Sequence, residues 1–492
     1  GEAERRQVDA LFLDVLGETP TGSAMVFAYH ESRRRTTEIR DPHKLSYAQL
    51  LQIAGQPARD NLTESGEEGY GKITVSVARN AICYLAGQTQ LPDCTLAEAG
   101  CWSAIDEEGN TAPGVVLTGA GEAAVWDDEA ATLERICLPR AGGRLLSLSG
   151  AEPWYDFKRL VADLDRAADP KWCEETVTET LAIWDRWAWK ADGAPYVLAG
   201  LVLATFVQTL WEWRPQVAIT GATKTGKSTL FETLAGIFGK LAIRSSKSTE
   251  AGIRQRVGTS ARVILADEFE QSKHREADLE MVRASSRGDE VLRGTTNQRG
   301  RRFALRHICY VAAVEIGLRR APDQNRFIQL ELIRPPKDLQ GKLRTPPVGE
   351  LHDLGQRLLA IAVRHISAAG PLAASLKAVQ IEGADSRVIE SYAVPAAIWA
   401  AACDFSMEDA AGLLKQMVET TVEIVDSEDD EATNDERELL QAIGAAELKM
   451  EKGQFCTVSE ALSNRGVDYI EAMVRHGLAF TGEGLRSSKG PN

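Results

Sequence analysis

The segment 216–230 constrains the fold of this chain more than any other stretch. A short apolar run with high β propensity leads directly into Gly221-x-x-x-x-Gly226-Lys227-Ser228, and a segment typical of a helix follows. The glycines allow the backbone to curl so that its N–H groups converge on an anion, and the start of the helix adds a positive dipole. The sequence therefore predicts a phosphate-binding loop between a buried strand and a helix, in an α/β core.

Each part of this loop suits a nucleoside triphosphate with its metal ion. The Lys227 ammonium supplies a point charge for the β- and γ-phosphates, and the Ser228 hydroxyl can hold Mg²⁺. We therefore expect ATP and Mg²⁺ as cofactors. The expected nucleotide-binding residues are Gly221, Thr223, Thr225, Gly226, Lys227, Ser228 and Thr229.

A second apolar strand, over 262–268, ends in two acids and lies forty residues after Lys227. Asp267 at the strand end can accept hydrogen bonds from water on Mg²⁺, and Glu268 can polarise the attacking water. A buried strand capped by two surface acids is the alternative. Behind a phosphate loop at this spacing, the pattern favours ATP hydrolysis.

Residues 287–306 carry six arginines against two acids, a balance of +4 in a chain of net charge −15. Strand-like arms at 291–295 and 302–305 flank a turn-prone segment, so a β-hairpin is predicted. Arginine suits phosphate contacts, while Asn and Gln can reach sugars or base edges. The expected DNA contacts are Arg293, Asn297, Gln298, Arg299, Arg301 and Arg302, and a solvated surface hairpin is the alternative.

The composition is that of an ordinary soluble protein with several domains. The chain has 492 residues, of which 44% are apolar and 26% are charged. Its acidity argues against a protein that coats nucleic acid with its whole surface, although a basic channel inside an acidic assembly remains compatible. The eight cysteines form no C-x-x-C pair, which disfavours a zinc site or a disulfide framework. A zinc site among Cys83, Cys94, Cys101 and Cys137 is the weaker alternative.

A cytoplasmic protein without a membrane span is expected. No signal peptide is visible at the N-terminus. The apolar run 195–211 contains Gln208 and is too short for a span, so we interpret it as a helix buried against the core. The five tryptophans between 154 and 189 are likewise interpreted as packing.

The pattern along the chain divides it into six parts. They are an α+β domain of unknown role at 1–145, a helical Trp-rich collar at 146–210, an ATPase core at 211–340, a helical lid at 345–422, an acidic linker at 423–434 and a winged-helix-like domain at 435–492. In the first part, strand-like runs lie at 24–29, 73–77 and 114–117. In the last part, a helix over 435–449, two more helices and a β-like tail suggest the winged helix, with a plain helical tail as the alternative.

The order of these motifs resembles a known family. A strand over 308–314 follows the hairpin, and Asp323-x-x-Arg326 precedes the last strand, 327–333. A phosphate loop, an Asp-Glu strand, a basic hairpin before the fourth strand and Asp-x-x-Arg before the fifth resemble the AAA+ ring helicases of phages, plasmids and genomic islands. This is the superfamily 3 and minichromosome-maintenance-like branch, often associated with a primase, and the resemblance covers roughly 195–425.

The resemblance implies an AAA+ fold, a hexameric ring and a role for each motif. Lys227 and Ser228 would bind phosphate and Mg²⁺, while Asp267 and Glu268 would drive hydrolysis. Arg326 would reach a neighbouring subunit's ATP as an arginine finger, and the hairpin 291–306 would project into the central channel. Two further assignments concern sensors: Arg387 in the lid is similar to the second sensor, whereas Glu315 stands where the family has a small polar first sensor.

We therefore expect an ATP-dependent DNA helicase of a mobile genetic element's replication system. It would act as a ring on single-stranded or forked DNA, with a primase or another replication protein as a partner. An AAA+ initiator, loader or defence ATPase that binds DNA without unwinding it is the first alternative. A protein-remodelling AAA+ is less favoured, because no aromatic pore loop stands out in 240–260.

Overall fold

The structure is a computed structural model of the chain. It describes residues 1–20, 22–30, 34–64, 72–91, 96–106, 110–119, 122–148, 153–245, 257, 260–267, 275–287, 290–294, 300–304, 306–314, 326–335, 343–422, 447–449, 455–459, 478–481 and 484–487. The acidic linker and most of the C-terminal part therefore lie outside the described residues.

The first 145 residues form small sheets with helices packed on them. The helices are α1 (Glu2–Asp9), α2 (Tyr47–Ala54), α3 (Gln56–Asn61) and α4 (Val75–Ala86). The strands are β1 (Leu13–Glu18), β2 (Ala24–Ala28), β3 (Arg35–Ile39), β4 (Leu62–Thr63), β5 (Ile73–Thr74), β6 (Gly100–Ile105), β7 (Thr111–Gly119), β8 (Glu122–Asp127), β9 (Thr132–Ile136), β10 (Arg140–Ala141) and β11 (Arg144–Leu145). The larger sheets, β1-β2-β3 and β6-β7-β8-β9, are antiparallel.

The strands predicted at 24–29 and 114–117 are confirmed, but the one predicted over 73–77 is wrong beyond its second residue. Only Ile73 and Thr74 are extended, since Val75 begins α4. The Thr74 hydroxyl accepts a hydrogen bond from the Val77 N–H and caps the helix. A capping Thr followed by β-branched residues has the composition of a strand. The hydrogen bond of the cap nevertheless starts a helix here.

The β6–β9 sheet shares a core with the rest of the chain. Val115, Leu117 and Trp126 belong to the same buried cluster as the helices and strands that follow. The Thr209 hydroxyl donates to the Cys101 carbonyl at 2.6 Å, which ties the sheet to the segment before the phosphate loop. The residues around α1–α4 instead form a cluster of their own.

A group of helices follows, made of α5 (Phe157–Arg166), α6 (Pro170–Trp184) and α7 (Ala194–Phe206). The helix α7 is apolar all round, and every residue from Val197 to Phe206 is buried. A helix with that composition belongs inside a protein core or a membrane. Its packing against the other helices confirms the prediction of a helix buried against the core.

A five-stranded parallel sheet forms the centre of the molecule. The elements of this part are β12 (Gln216–Gly221), α8 (Lys227–Phe238), β13 (Ala242–Ser245), β14 (Val263–Ala266), α9 (Arg275–Arg287), β15 (Glu290–Gly294), β16 (Gly300–Ala304), β17 (Cys309–Ala312) and β18 (Phe327–Leu332). The sheet has the order β13-β14-β17-β12-β18, and all its pairs are parallel. The prediction of an α/β core is confirmed, and the structure adds that its sheet is parallel.

Both faces of this sheet are covered, as a parallel sheet requires. Alternate residues of its strands, such as Val217 and Ala218, belong to two different buried clusters. One cluster contains the apolar residues of α8, and the other contains Leu279 and Val282 of α9. Polar side chains of the three inner strands, β14, β17 and β12, can therefore meet solvent only where those strands end.

The remaining elements are α10 (Val348–Leu376), α11 (Ser386–Ala402), α12 (Met407–Glu419), β19 (Glu447–Lys449), β20 (Phe455–Thr457), β21 (Leu478–Thr481) and β22 (Gly484–Ser487). Among the described residues, α10 alone has the length and apolar composition of a membrane span. It packs against α5, α6, α7, α8, α11 and α12, which identifies it as a core helix.

The C-terminal strands correct one prediction. Residues Glu447–Lys449 pair with Phe455–Thr457, so a helix over 435–449 is wrong at its end. Strand pairing supplies partners for the backbone that an isolated helix terminus would leave exposed. The strand β21, predicted as the β-like tail, is confirmed and pairs with β22. The winged helix stays a prediction, because its helices lie outside the described residues.

The contact between α10 and α8 generates a test of the fold. A Cβ added at Gly355 would lie 1.9 Å from the Ile237 carbonyl oxygen, whereas one at Gly412 in the middle of α12 would meet nothing within 4 Å. We expect Gly355→Ala to lower the free energy of unfolding by roughly 1–3 kcal/mol, because the helices must separate. Gly412→Ala, the control in a neighbouring helix, should raise it by about 0.5–1 kcal/mol. Urea denaturation of both variants measures the difference, and equal stabilities would contradict this packing.

Candidate active site

Two glycines shape the predicted phosphate loop where β12 ends and α8 begins. Gly221 has φ +142°, and a Cβ there would lie 2.3 Å from the Leu332 carbonyl oxygen. Gly226 has φ +97° and is the residue before α8. Both positions exclude a side chain, one by close approach of the neighbouring strand and one by its left-handed conformation. The strand–loop–helix prediction is confirmed in its backbone.

The polar side chains of the loop lie close together. The Lys227 Nζ donates to the carbonyl oxygens of Gly221 and, at 3.3 Å, of Ala222. Thr225 is buried, and its hydroxyl donates to the Ala222 carbonyl at 3.0 Å, which braces the loop from inside. Ser228 is exposed on the first turn of α8. An ammonium beside an exposed hydroxyl, at a helix start, can bind an anion together with a cation.

Thr223 and Thr229 also belong to this surface. Thr223 is exposed at the crest of the loop, and Thr229 is partly buried on α8. The Thr229 carbonyl accepts a hydrogen bond from the Thr233 hydroxyl at 2.9 Å, within the same helix. The role of both residues in nucleotide binding stays a prediction.

A tryptophan holds the loop from the side, which the sequence did not indicate. The Trp187 indole N–H donates to the Gly226 carbonyl at 3.1 Å, and Trp187 is buried. The next residues pair with the end of β18, where the Ile333 N–H donates to the Ala188 carbonyl at 2.9 Å. The tryptophans were interpreted as packing only. The one available signal was that a buried indole N–H needs an acceptor.

Asp267 lies at the same end of the sheet as the loop. It directly follows β14, and its N–H donates to the Ser245 carbonyl at the end of β13, at 2.8 Å. The strand β17 separates β14 from β12, so Asp267 is displaced from Gly221 by two strand spacings, about 10 Å. Glu268 and Glu315 lie outside the described residues. The predicted metal ligand Asp267 and the loop therefore lie at the same end of the sheet.

Arg326 lies at the opposite end of the sheet. It directly precedes β18, and its carbonyl accepts from the N–H of Gln216, the first residue of β12, at 3.1 Å. The six residues of β12 span about 20 Å, so the Arg326 backbone is that far from the loop of its own chain. Arg326 therefore cannot complete the site of its own chain.

Arg387 also lies away from the loop. It is near the start of α11, where its N–H donates to the capping Asp385 carboxylate at 2.7 Å. One turn later, the Ser391 hydroxyl accepts from the indole of Trp213, which precedes β12. The start of α11 is thus at the Arg326 end of the sheet, and its role as a sensor stays a prediction.

The predicted basic hairpin is confirmed in its backbone. The strands β15 and β16 are antiparallel, and their register places Arg293 opposite Arg301 and Leu292 opposite Arg302. Asn297, Gln298 and Arg299 lie outside the described residues, as do the side chains of the three arginines in the strands. The hairpin follows α9 and precedes β17 in the chain.

A buried histidine lies where the hairpin returns to the sheet. His307 is 3% exposed, and its Nε2–H donates to the Ser260 carbonyl at 2.9 Å. Burial, with a smaller contribution from the charge of Arg214, lowers the pKa of His307 to about 4 although the Ser260 bond opposes the shift. His307 is therefore neutral at physiological pH.

Comparisons with known proteins do not assign a family. No family model and no curated protein match the chain. Eighty chains of known structure match. They include a full-length MCM homolog from Methanopyrus kandleri, at 14% identity and a TM-score of 0.34, over 63% of this chain and 74% of that one. They also include the NrS-1 C-terminal region in its apo structure, at 11% identity and a TM-score of 0.36, over 90% and 77% of the two chains.

Replacing Gly226 should disable the loop. A Cβ there would lie 3.0 Å from the Trp187 Nε1, and the alanine would have to adopt the φ of +97° that the loop needs. We therefore expect Gly226→Ala to weaken ATP binding at least about tenfold. Titration with a fluorescent ATP analogue measures the affinity. Gly349→Ala is the control, because nothing lies within 4 Å of its added Cβ. Unchanged affinity in Gly226→Ala would remove this loop as the binding site.

The His307 pKa predicts acid sensitivity. The unfolded chain binds a proton on this imidazole below about pH 6.5, whereas the folded chain does so only near pH 4. The unfolded state thus binds more protons in this window, and stability falls as the pH falls, by up to about 1.4 kcal/mol per pH unit. We expect His307→Gln to remove this dependence, as shown by urea denaturation at pH 7, 6 and 5. Parallel curves for both proteins would contradict a neutral buried His307.

Proposed function

We propose that this chain is an ATP-dependent DNA helicase that acts as a ring, most simply a hexamer. The observation that carries the proposal is the division of groups between the two ends of one parallel sheet. The phosphate loop and Asp267 are at the carboxyl end, while Arg326 begins β18 at the other end. An arginine that is too far from the loop of its own chain can serve the site of a neighbouring copy.

The residues at the carboxyl end fit ATP with Mg²⁺. The Lys227 ammonium and the N–H groups of the loop suit the β- and γ-phosphates, and the Ser228 hydroxyl with the Asp267 carboxylate offers the oxygen ligands that Mg²⁺ prefers. A bound Mg²⁺ would neutralise developing charge on the phosphates. Glu268 would take the proton of the attacking water, and Thr223, Thr225 and Thr229 would line the loop.

Arg326 would act on the ATP of the next subunit. An arginine that reaches the γ-phosphate stabilises the charge that develops during phosphoryl transfer. Its distance from the loop of its own chain makes this contribution possible only between copies. Arg387, whose helix starts at the same end of the sheet, would serve such a site as well. Hydrolysis would then depend on assembly of the ring.

The hairpin would hold the DNA. Its register pairs Arg293 with Arg301, so the two arms bring basic residues together. Arginine suits DNA phosphates, and Asn297, Gln298, Arg299 and Arg302 would extend the contact. Mobile-element replication and a primase partner are proposed from the order of motifs alone.

Unwinding of a forked DNA duplex tests the proposal. We expect strand separation that requires ATP and Mg²⁺, and its loss together with ATP turnover in Lys227→Ala. We expect Arg299→Ala with Arg301→Ala to weaken single-stranded DNA binding about 10-fold or more and to reduce its salt dependence, since two phosphate contacts are lost. Arg5→Ala with Arg6→Ala on α1, remote in sequence from the hairpin, is the matched control and should change neither.

The outcomes separate the rival functions. DNA-stimulated hydrolysis without strand separation would favour an initiator, loader or defence ATPase. A rate of ATP hydrolysis that does not change when DNA is added would favour a protein-remodelling ATPase. Retained ATP turnover in Lys227→Ala would contradict the assignment of the active site itself.

A further inference from the structure

A buried set of polar side chains closes the base of the hairpin. The chain leaves α9 after Arg287, forms β15 and β16, and returns to the sheet at His307. Four residues meet at this base, and we call them the hairpin clamp: Gln216, Ser285, Ser286 and His307. All four are at most 3% exposed.

Gln216 is the centre of the clamp. Its Nε2 amide lies within hydrogen-bonding distance of three acceptors, the Arg214 carbonyl at 3.1 Å and the Ser286 hydroxyl and His307 carbonyl at 3.2 Å each. Its Oε1 accepts from the Cys309 N–H at 3.0 Å. A single side chain therefore lies within bonding distance of the last turn of the helix before the hairpin, of His307 after it and of the strand β17 that follows.

Ser285 joins the two ends of the hairpin directly. Its hydroxyl accepts from the His307 N–H at 2.9 Å and donates to the His307 carbonyl at 2.8 Å. The Arg214 guanidinium donates to the Ser285 carbonyl at 2.9 Å, which links the base to the segment before β12. Movement of either arm of the hairpin must therefore disturb these bonds or carry them along.

The same glutamine belongs to the strand that carries the phosphate loop. Gln216 is the first residue of β12 and Gly221 is the last, with backbone pairing on both sides of the strand. Its N–H donates to the Arg326 carbonyl at 3.1 Å. Gln216 thus contacts the hairpin base, the loop strand and the residue proposed to reach the neighbouring site.

We propose that Gln216 is a positioning residue that couples the hairpin to ATP hydrolysis. DNA bound at the hairpin shifts its base, and the clamp transmits that shift to β12 and to Arg326, which raises the rate of hydrolysis. This inference rests on the proposed function. Burying an amide requires hydrogen-bond partners that an apolar residue would not need, so packing alone does not explain a glutamine here.

The test compares ATP hydrolysis with and without single-stranded oligo-dT. Gln216→Met removes the amide, and Ser286→Ala removes one contact of the clamp while leaving the rest. Gln356→Met is the matched control, because Gln356 is also buried and, within the part of the chain that the structure describes, bonds the backbone of Trp154 and Asp156 at 3.3 and 3.1 Å. Oligo-dT affinity and the urea midpoint are measured for each protein.

We expect Gln216→Met to keep basal hydrolysis and oligo-dT affinity within about twofold of the wild type, and to reduce the stimulation by DNA at least about fivefold. Ser286→Ala should reduce the stimulation in the same direction but less. Gln356→Met should keep full stimulation at a similar loss of stability. The split between affinity and stimulation separates coupling from a general structural effect.

Full stimulation in both clamp variants would overturn the inference, and so would an equal loss in Gln356→Met. If Gln216→Met does not fold, full stimulation in Ser286→Ala still overturns it and a selective loss there still supports it. If the wild-type protein binds no oligo-dT, that result contradicts the proposed function itself. The proposed coupling through Gln216 would then be contradicted as well.

Discussion

The structure depends on one constraint, which is that both faces of its central parallel sheet are buried. The inner strands of such a sheet cannot present polar side chains to water except where they end. The chain obeys this limit closely: Val217 and Ile219 lie on one face in one apolar cluster, while Ala218 lies on the other. Chemistry is therefore confined to two ends about 20 Å apart, and the phosphate loop takes one of them.

The segment after Trp187 covers the end of the edge strand β18 and also supports the phosphate loop. The edge strand β18 exposes Gln329 and Glu331 on one face, and its last residues pair with the segment after Trp187. Covering an open edge removes unpaired backbone groups that would otherwise recruit another strand. Because that segment also carries the indole that bonds to Gly226, protection of the edge and support of the loop come from the same few residues.

Local patterns were enough to predict the parts of the site that depend on local chemistry. The phosphate loop needs glycine at positive φ, the acidic strand needs an apolar run, and the hairpin needs two arms with high β propensity. Each of these patterns can be recognised in consecutive residues. The roles of Trp187 and Gln216 could not be predicted, because the partners that define them are 39 residues away for Trp187 and 70 or more residues away for Gln216. Their meaning depends on tertiary contacts, which a single sequence does not reveal. The strand expected over 73–77 failed for the opposite reason, since one hydroxyl cap outweighed β propensity.

The amino end of the sheet gains its importance from what meets there. The Gln216 N–H bonds to Arg326, and its side chain bonds to both ends of the hairpin. In the proposed ring, Arg326 would respond to the ATP of a neighbour and the hairpin would respond to DNA. The effects of the neighbour's ATP and of the DNA would then both reach Gln216, the first residue of β12. The last residue of the same strand, Gly221, begins the phosphate loop. A strand paired on both sides moves as a unit, so it can connect one subunit's nucleotide, the DNA and the next subunit's nucleotide without a separate moving domain.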